Sequence, residues 1–287
     1  MKLSNLWKEK EVTLSFEAFP PKKDSDFASV AIAVEKIAQL KPDFMSVTYG
    51  AGGGTSAYTT QIAQIVQSQG VTALAHLTCV SSDRQRIHHE LDALRQAGIE
   101  NILALRGDYP EGYDPAAPRD YRYARDLVED IRAYGGFAIG GACYPEGHVE
   151  CEHKEQDIGF LKEKVEAGCD FLTTQMFFDN NVYYNFLYRV LAAGIQVPVI
   201  PGIMPVINAK QIKRSCELSG TVLPPRFKAI ADKFSDDPLA MEQAGIAYAT
   251  EQIIDLIANG VKYVHLYTMN RPQTAARIVE NLSHILK

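Results

Sequence analysis

Short runs of β-branched and apolar residues alternate along the chain with longer stretches in which apolar residues recur every three or four positions. The alternation repeats eight times. It predicts strands near 12–18, 43–49, 72–79, 101–106, 137–143, 170–176, 197–203 and 261–267, with helices over 27–40, 57–69, 84–97, 120–134, 155–168 and 181–193. Gly70, Gly98, Gly168, Gly194 and Gly260 stand where a helix ends and the left-handed conformation is needed. The stretch 204–258 is longer than one crossover requires, and Pro224-Pro225 and Asp236-Asp237-Pro238 divide it into two or three helices. No linker or step in composition separates the units. The pattern therefore predicts a single domain over 1–287, an α/β chain folded as a (β/α)8 TIM barrel with extra helices before the last strand. An open doubly wound sheet is the rival fold, but it normally carries a glycine fingerprint after its first strand, where Phe19-Pro20-Pro21 stands.

Residues two apart in a strand share a face, so the same pattern says which polar groups point into a barrel. Thr13, Ser15 and Glu17 share a face, as do Ser46 and Thr48, His76 and Thr78, and Arg106 and Asp108 if the fourth extended run continues. Thr173 with Gln175 and His265 with Tyr267 complete the set, mostly at the C-terminal ends of strands, where barrel enzymes assemble their sites. A buried, unpaired Glu17 would be costly, so it implies either a partner, Arg106 or a Lys, or a chemical task. Glu17 and Asp108 form the natural carboxylate pair for general acid work.

Composition narrows the chemistry. Lys and Arg total 29 against 35 Asp and Glu, with no basic run, so nucleic acid is an unexpected ligand. MKLSNLWKEK carries charges where a secretory signal needs apolar residues, and no segment has the length of a membrane span, so a cytoplasmic location is expected with no membrane partner. The five cysteines form no CxxC pair and are expected as reduced packing residues; His148, Cys151 and His153 do not have zinc spacing, and no metal is expected. Nucleophile-elbow, HExxH, P-loop and kinase motifs are absent. What remains suits an organic cofactor with proton transfer.

Eight ordered segments, SFEAFPP (15–21), SVTYGAGG (46–53), HLTC (76–79), ALRGD (104–108), YPEGH (144–148), TQMFFD (174–179), PGIMPV (201–206) and HLYTMNR (265–271), closely resemble the bacterial, flavin-dependent methylenetetrahydrofolate reductase family. The resemblance implies a cytoplasmic flavoenzyme that reduces 5,10-methylenetetrahydrofolate to 5-methyltetrahydrofolate by ping-pong hydride transfer from NADH or NADPH through FAD, feeding methionine synthesis. It implies Glu17 as general acid and Asp108 as a group tuning flavin and folate. It assigns FAD contacts to Thr48, Tyr49, Ala51, His76, Leu105, Arg106, Gly107, Asp108, Tyr123, Ala124, Tyr144, His148, Asp157 and Lys164, and substrate contacts to Gln175, Tyr267 and Arg271. A homo-oligomer is the expected assembly, with a partner subunit as the other arrangement. The chain departs from the family pattern at Ala18, at Ala209, where some relatives carry a phenylalanine that folds over the ligand, and at Phe160 and Glu163. Two other readings stand beside this one: a different flavin barrel resembling proline dehydrogenase, and a folate-binding barrel subunit that needs a partner electron donor.

Overall fold

The computed structural model describes residues 1–49, 56–109, 112–114 and 117–286. Its strands are β1 (Thr13–Ala18), β2 (Phe44–Val47), β3 (Thr72–Thr78), β4 (Asn101–Leu105), β5 (Ala138–Cys143), β6 (Phe171–Thr174), β7 (Val199–Ile200), β8 (Gly202–Ile203) and β9 (Tyr263–Tyr267). All neighbours are parallel, in the order β7-β6-β5-β4-β3-β2-β1-β9-β8. The two ends of that order are halves of one extended segment: β7 pairs with β6, β8 pairs with β9, and Pro201, which has no N–H to give, lies between them while its carbonyl accepts from His265 N at 2.9 Å. The expected eight-stranded barrel is thus closed through a seventh strand split at proline.

The helices are α1 (Leu3–Glu9), α2 (Phe27–Ala38), α3 (Ser56–Ser68), α4 (Arg84–Gln96), α5 (Ala124–Tyr134), α6 (Lys154–Glu166), α7 (Asn180–Ala192), α8 (Ala209–Ser219), α9 (Pro225–Lys233), α10 (Pro238–Ala258) and α11 (Pro272–Asn281). The long stretch before β9 resolves into three, α8 to α10, with Pro at the start of α9 and α10, where a missing N–H costs nothing. α5 begins at Ala124, four residues later than the spacing predicts, because the Asp126 carboxylate accepts from the Arg122 and Tyr123 amides and fixes the start there. Among the described residues no helix is long and apolar enough to cross a membrane.

The interior changes character over two residues of each strand. Phe44, Leu74, Leu103, Phe171 and Ile200 pack together at the N-terminal end, and Leu3 and Leu6 of α1 close that end against them. One step along, Phe44 gives way to Ser46, Leu74 to His76 and Phe171 to Thr173, so the other end is polar. α1 is held by Asn101, whose Oδ1 accepts from Leu3 N at 2.8 Å while its Nδ2 donates to the carbonyls of Met1 and Ala73. Asn101→Ala leaves those buried groups without partners and is expected to cost about 3 kcal/mol of stability, measured by urea unfolding. A change within error would show that α1 does not depend on this anchor.

Candidate functional site

The polar end of the barrel holds Glu17, 6% exposed, among side chains from three strands. Ser46 Oγ lies 3.5 Å from Glu17 Oε2, His76 Nε2 3.7 Å and His265 Nε2 3.9 Å. Thr268 Oγ1 donates to the Glu17 carbonyl at 2.6 Å, and Asn270, at φ 53°, grips Phe19 with two bonds, so the FEAFPP turn is tied to the turn after β9. A cavity of about 230 Å³ opens above Glu17, bounded by Thr48, Thr173, Gln175, Tyr144 and Tyr267 among others. Gln175 Oε1 accepts from Met176 N at 2.9 Å, which fixes the amide plane. Tyr267 donates its hydroxyl hydrogen to Thr174 O at 2.6 Å, and burial pushes its phenol well above the usual value, so it stays neutral.

Burial pulls the pKa of His76 down to about 4, against the opposing pull of Glu17. The imidazole is neutral at pH 7, its approach to Glu17 is not an ion pair, and its buried Nε2 has no hydrogen-bond partner among the described residues. A folded-state value below the unfolded 6.5 means that only the unfolded chain takes up this proton between those limits. Stability should be untouched above pH 6.5 and fall by about 3 kcal/mol as pH drops to about 4. His76→Gln should flatten that part of the acid limb in denaturant titrations; an unchanged limb would place the proton elsewhere.

Leu105, Ala142 and Tyr144 line both this cavity and a larger one of about 1190 Å³ that runs outward over β3 to β5 to the starts of α5 and α6. Tyr49, Arg106, Gly107, Asp108, Tyr123, Ala124, His148, Asp157 and Lys164 line the larger cavity, while Thr48 and His76 line the smaller. Burial raises the Asp157 pKa and lowers that of His148. The Lys164 amine donates to Ala142 O. Phe160, 59% exposed, and Glu163, paired with Arg125 at 2.7 Å, line the same cavity. Ala209 is the first residue of α8, behind the Asn208 cap, and sets only a methyl group there. Ala51 lies outside the described residues. Arg271 is the N-cap of α11, exposed, and lines neither cavity.

Two sequence expectations change. Arg106 is no partner for Glu17: its guanidinium makes two bonds to Glu150, at 2.6 and 2.8 Å, and lies 4.1 Å over the Tyr109 ring. Asp108 does not share the inner face with Glu17. β4 ends at Leu105 and Gly107 turns the chain at φ 89°, so Asp108 stands exposed on the larger cavity, while the ionisable groups nearest Glu17 are imidazoles. The roles of Glu150 and of Ser15 under His265 were not read from the sequence. Ser15 was legible as an inward residue; Glu150, 44 positions from Arg106, left no local signal.

The residues lining the joined cavities fit a long planar cofactor. The larger cavity exceeds the ordinary range for small-ligand sites, His76, whose Nε2 is orphaned 3.7 Å from Glu17 Oε2, lines the smaller one, and Lys164 and Arg106 supply cationic donors along the larger.

The chain is 35% identical to methylenetetrahydrofolate reductase (NADH) 1 of Arabidopsis thaliana over 99% of its own length, spanning 50% of that relative, and so covers about half of the plant enzymes it matches. It is 35% identical to the 5,10-methylenetetrahydrofolate reductase of Pectobacterium carotovorum and 34% to that of Escherichia coli, covering 90% and 91% of those proteins. In fold it is similar, with a TM-score of 0.73 and 11% identity over 99% of this chain and 100% of the other, to an uncharacterized Clostridium thermocellum protein that binds two copies of 5-methyl-5,6,7,8-tetrahydrofolic acid. The family model described as methylenetetrahydrofolate reductase matches residues 2–283, and the chain belongs to that family.

Proposed function

We propose that the protein reduces 5,10-methylenetetrahydrofolate to 5-methyltetrahydrofolate, with FAD in the larger cavity and NADH or NADPH as donor. The observation that carries this reading is the placement of Glu17, a buried carboxyl group at the polar mouth of the barrel, in a cavity that shares Leu105, Ala142 and Tyr144 with a neighbouring one large enough for a dinucleotide. Similarity to the reductases of two bacteria along 94% and 95% of the chain supports it, as does a structural neighbour that binds a methylated folate.

Bound flavin supplies the hydride chemistry, taken from the nicotinamide and given to the folate. The protein supplies the rest. Tyr49, Arg106, Tyr144, His148, Asp157 and Lys164 hold and orient the cofactor, and His76 offers it or the substrate an unused ring nitrogen. Gln175 and Tyr267 border the cavity in which the two substrates take turns, with Arg271 beyond them toward the solvent. Glu17 gives its proton to the bridging nitrogen of the folate, which opens the five-membered ring to an iminium ready for hydride. Asp108, exposed on the cofactor side, tunes charge there without competing for the proton on Glu17. A role in methionine synthesis follows from the product, a methyl donor.

The test is optical. Purified protein should be yellow, should bleach under anaerobic NADH or NADPH, and should regain colour when methylenetetrahydrofolate is added. Colourless protein that cannot be loaded with FAD would end this reading. The alternative is a folate-binding barrel fed by a partner electron donor; protein that binds folate and flavin but does not bleach with either nicotinamide would favour that reading.

A further inference from the structure

Below Glu17 the barrel interior contains a file of buried polar side chains. Ser15, Ser46 and His265 are 0%, 1% and 2% exposed, and beneath them lies the apolar layer around Phe44. Burying three hydrogen-bonding groups in a barrel core is unfavourable unless each is satisfied. The file begins at the Val264 carbonyl, which can only accept, so Ser15 Oγ, 3.2 Å away, donates to it. Ser15 has one hydrogen. At its 2.8 Å contact with His265 Nδ1 it is therefore the acceptor, and the imidazole carries its hydrogen on Nδ1. The Phe44 ring stacked on His265 at 6.0 Å and the Tyr267 edge at 5.3 Å fix the ring plane, so the other nitrogen, Nε2, presents its lone pair toward Ser46 at 3.3 Å. Ser46 Oγ, with one hydrogen, stands between that lone pair at 3.3 Å and Glu17 Oε2 at 3.5 Å, and donates to Glu17 when that group is a carboxylate.

We propose that Ser15 and His265, acting through Ser46, are positioning residues that keep the proton on Glu17 until the substrate takes it. The inference rests on the reading of Glu17 as the general acid. With the file polarised from Val264 upward, Ser46 accepts a hydrogen bond from the carboxylic acid form of Glu17. When the proton passes to the folate nitrogen, the Ser46 hydroxyl swings from His265 Nε2 to the new carboxylate. No proton enters or leaves the file; Glu17 is reprotonated from solvent through the mouth. The other titratable groups around the acid are His76 from β3, Tyr144 after β5 and Tyr267 on β9. His76 is neutral at pH 7, and burial pushes Tyr144 up to about 12 and Tyr267 well above its usual value, so none of them brings a positive charge that would draw the proton away.

The first test needs neither flavin nor folate, so it stands whatever becomes of the functional reading. In protein labelled with ¹⁵N-histidine, with His265→Gln used for assignment, two-bond ¹H–¹⁵N correlation at about pH 7.5 should show His265 as the Nδ1–H tautomer. Ser15→Ala should convert it partly or wholly to the Nε2–H tautomer. An Nε2–H tautomer in the unmodified protein, or an unchanged tautomer in Ser15→Ala, overturns the proposal. The second test follows the folate step by stopped flow. Ser46→Ala should slow it about tenfold more than it slows reduction of bound flavin by the nicotinamide, and Ser46→Thr, which keeps the hydroxyl, should restore it. Equal effects of Ser46→Ala on both steps overturn the proposal, whereas failure to take up flavin or to turn over folate in the unmodified protein counts against the function itself.

Discussion

Glu17→Gln is expected to slow folate reduction by roughly a hundred- to ten-thousandfold, the share that a well-placed general acid contributes, while reduction of bound flavin by the nicotinamide persists. Glutamine has the shape of glutamate and can keep the contacts of the carboxyl group with Ser46, His76 and His265, so the fold should survive. What it lacks is an acidic proton for the bridging nitrogen. Ring opening then has to proceed with solvent as the acid at a site that is 6% exposed. The measurement is a pair of anaerobic stopped-flow traces, flavin bleaching by the donor and recolouring by methylenetetrahydrofolate. Equal slowing of both traces would remove Glu17 from proton transfer and make it a residue that shapes the flavin site.

The second large effect concerns the fold and lies far from any proton. α10 passes so close to the segment after β8 that a Cβ at Gly245 would sit 1.8 Å from the Val206 carbonyl oxygen and 2.6 Å from its carbon. Both obstacles are backbone, so no side chain can rotate out of the way. Gly245→Ala must push the helix off the barrel or bend the strand exit, and overpacking of this kind costs about 3 kcal/mol or more. A fall in Tm of roughly 6–10 °C should follow. Folate turnover should drop as well, because the displaced segment leads back to Gly202, which lies under the Tyr267 hydroxyl, and α10 carries Tyr248, which donates to Phe178 O at 2.6 Å beside β6. A Tm within a degree of the unmodified protein would mean that the helix and strand exit separate more easily than their packing implies.

Most of the barrel was readable because each strand is a compact apolar run ended by glycine, proline or a cap. Positive φ angles at Gly70, Gly98, Gly168, Gly194 and Gly260 show those helix ends where the sequence puts them. α1 escaped notice for a physical reason: seven residues are too few for helical periodicity to register, and its stability comes from Asn101, about a hundred positions away. The fourth strand was read too far because alternation assumes continued extension, and the turn at Gly107 sends Asp108 to the rim instead of the inner face. The proline that splits the seventh strand is plain in PGIMPV, yet its effect shows only when both neighbours are seen to pair with different halves. Of the inward set given by period-two alternation, Glu17, Ser46, Thr48, His76, Thr173, Gln175, His265 and Tyr267 line one cavity, Thr78 lines the larger one, and Thr13 and Ser15 are buried outside both. Partners such as Glu150 and Val264 did not come from that alternation, since an acceptor chosen by folding leaves no local trace in the chain.

The barrel is a well with a sealed bottom. Among the described residues Leu3 and Leu6 close one end, and the cavity above Glu17 lies at the other. If the proposed folate lies across that opening, the carboxyl loses its contact with bulk water, so the proton has to be in place before the pteridine arrives.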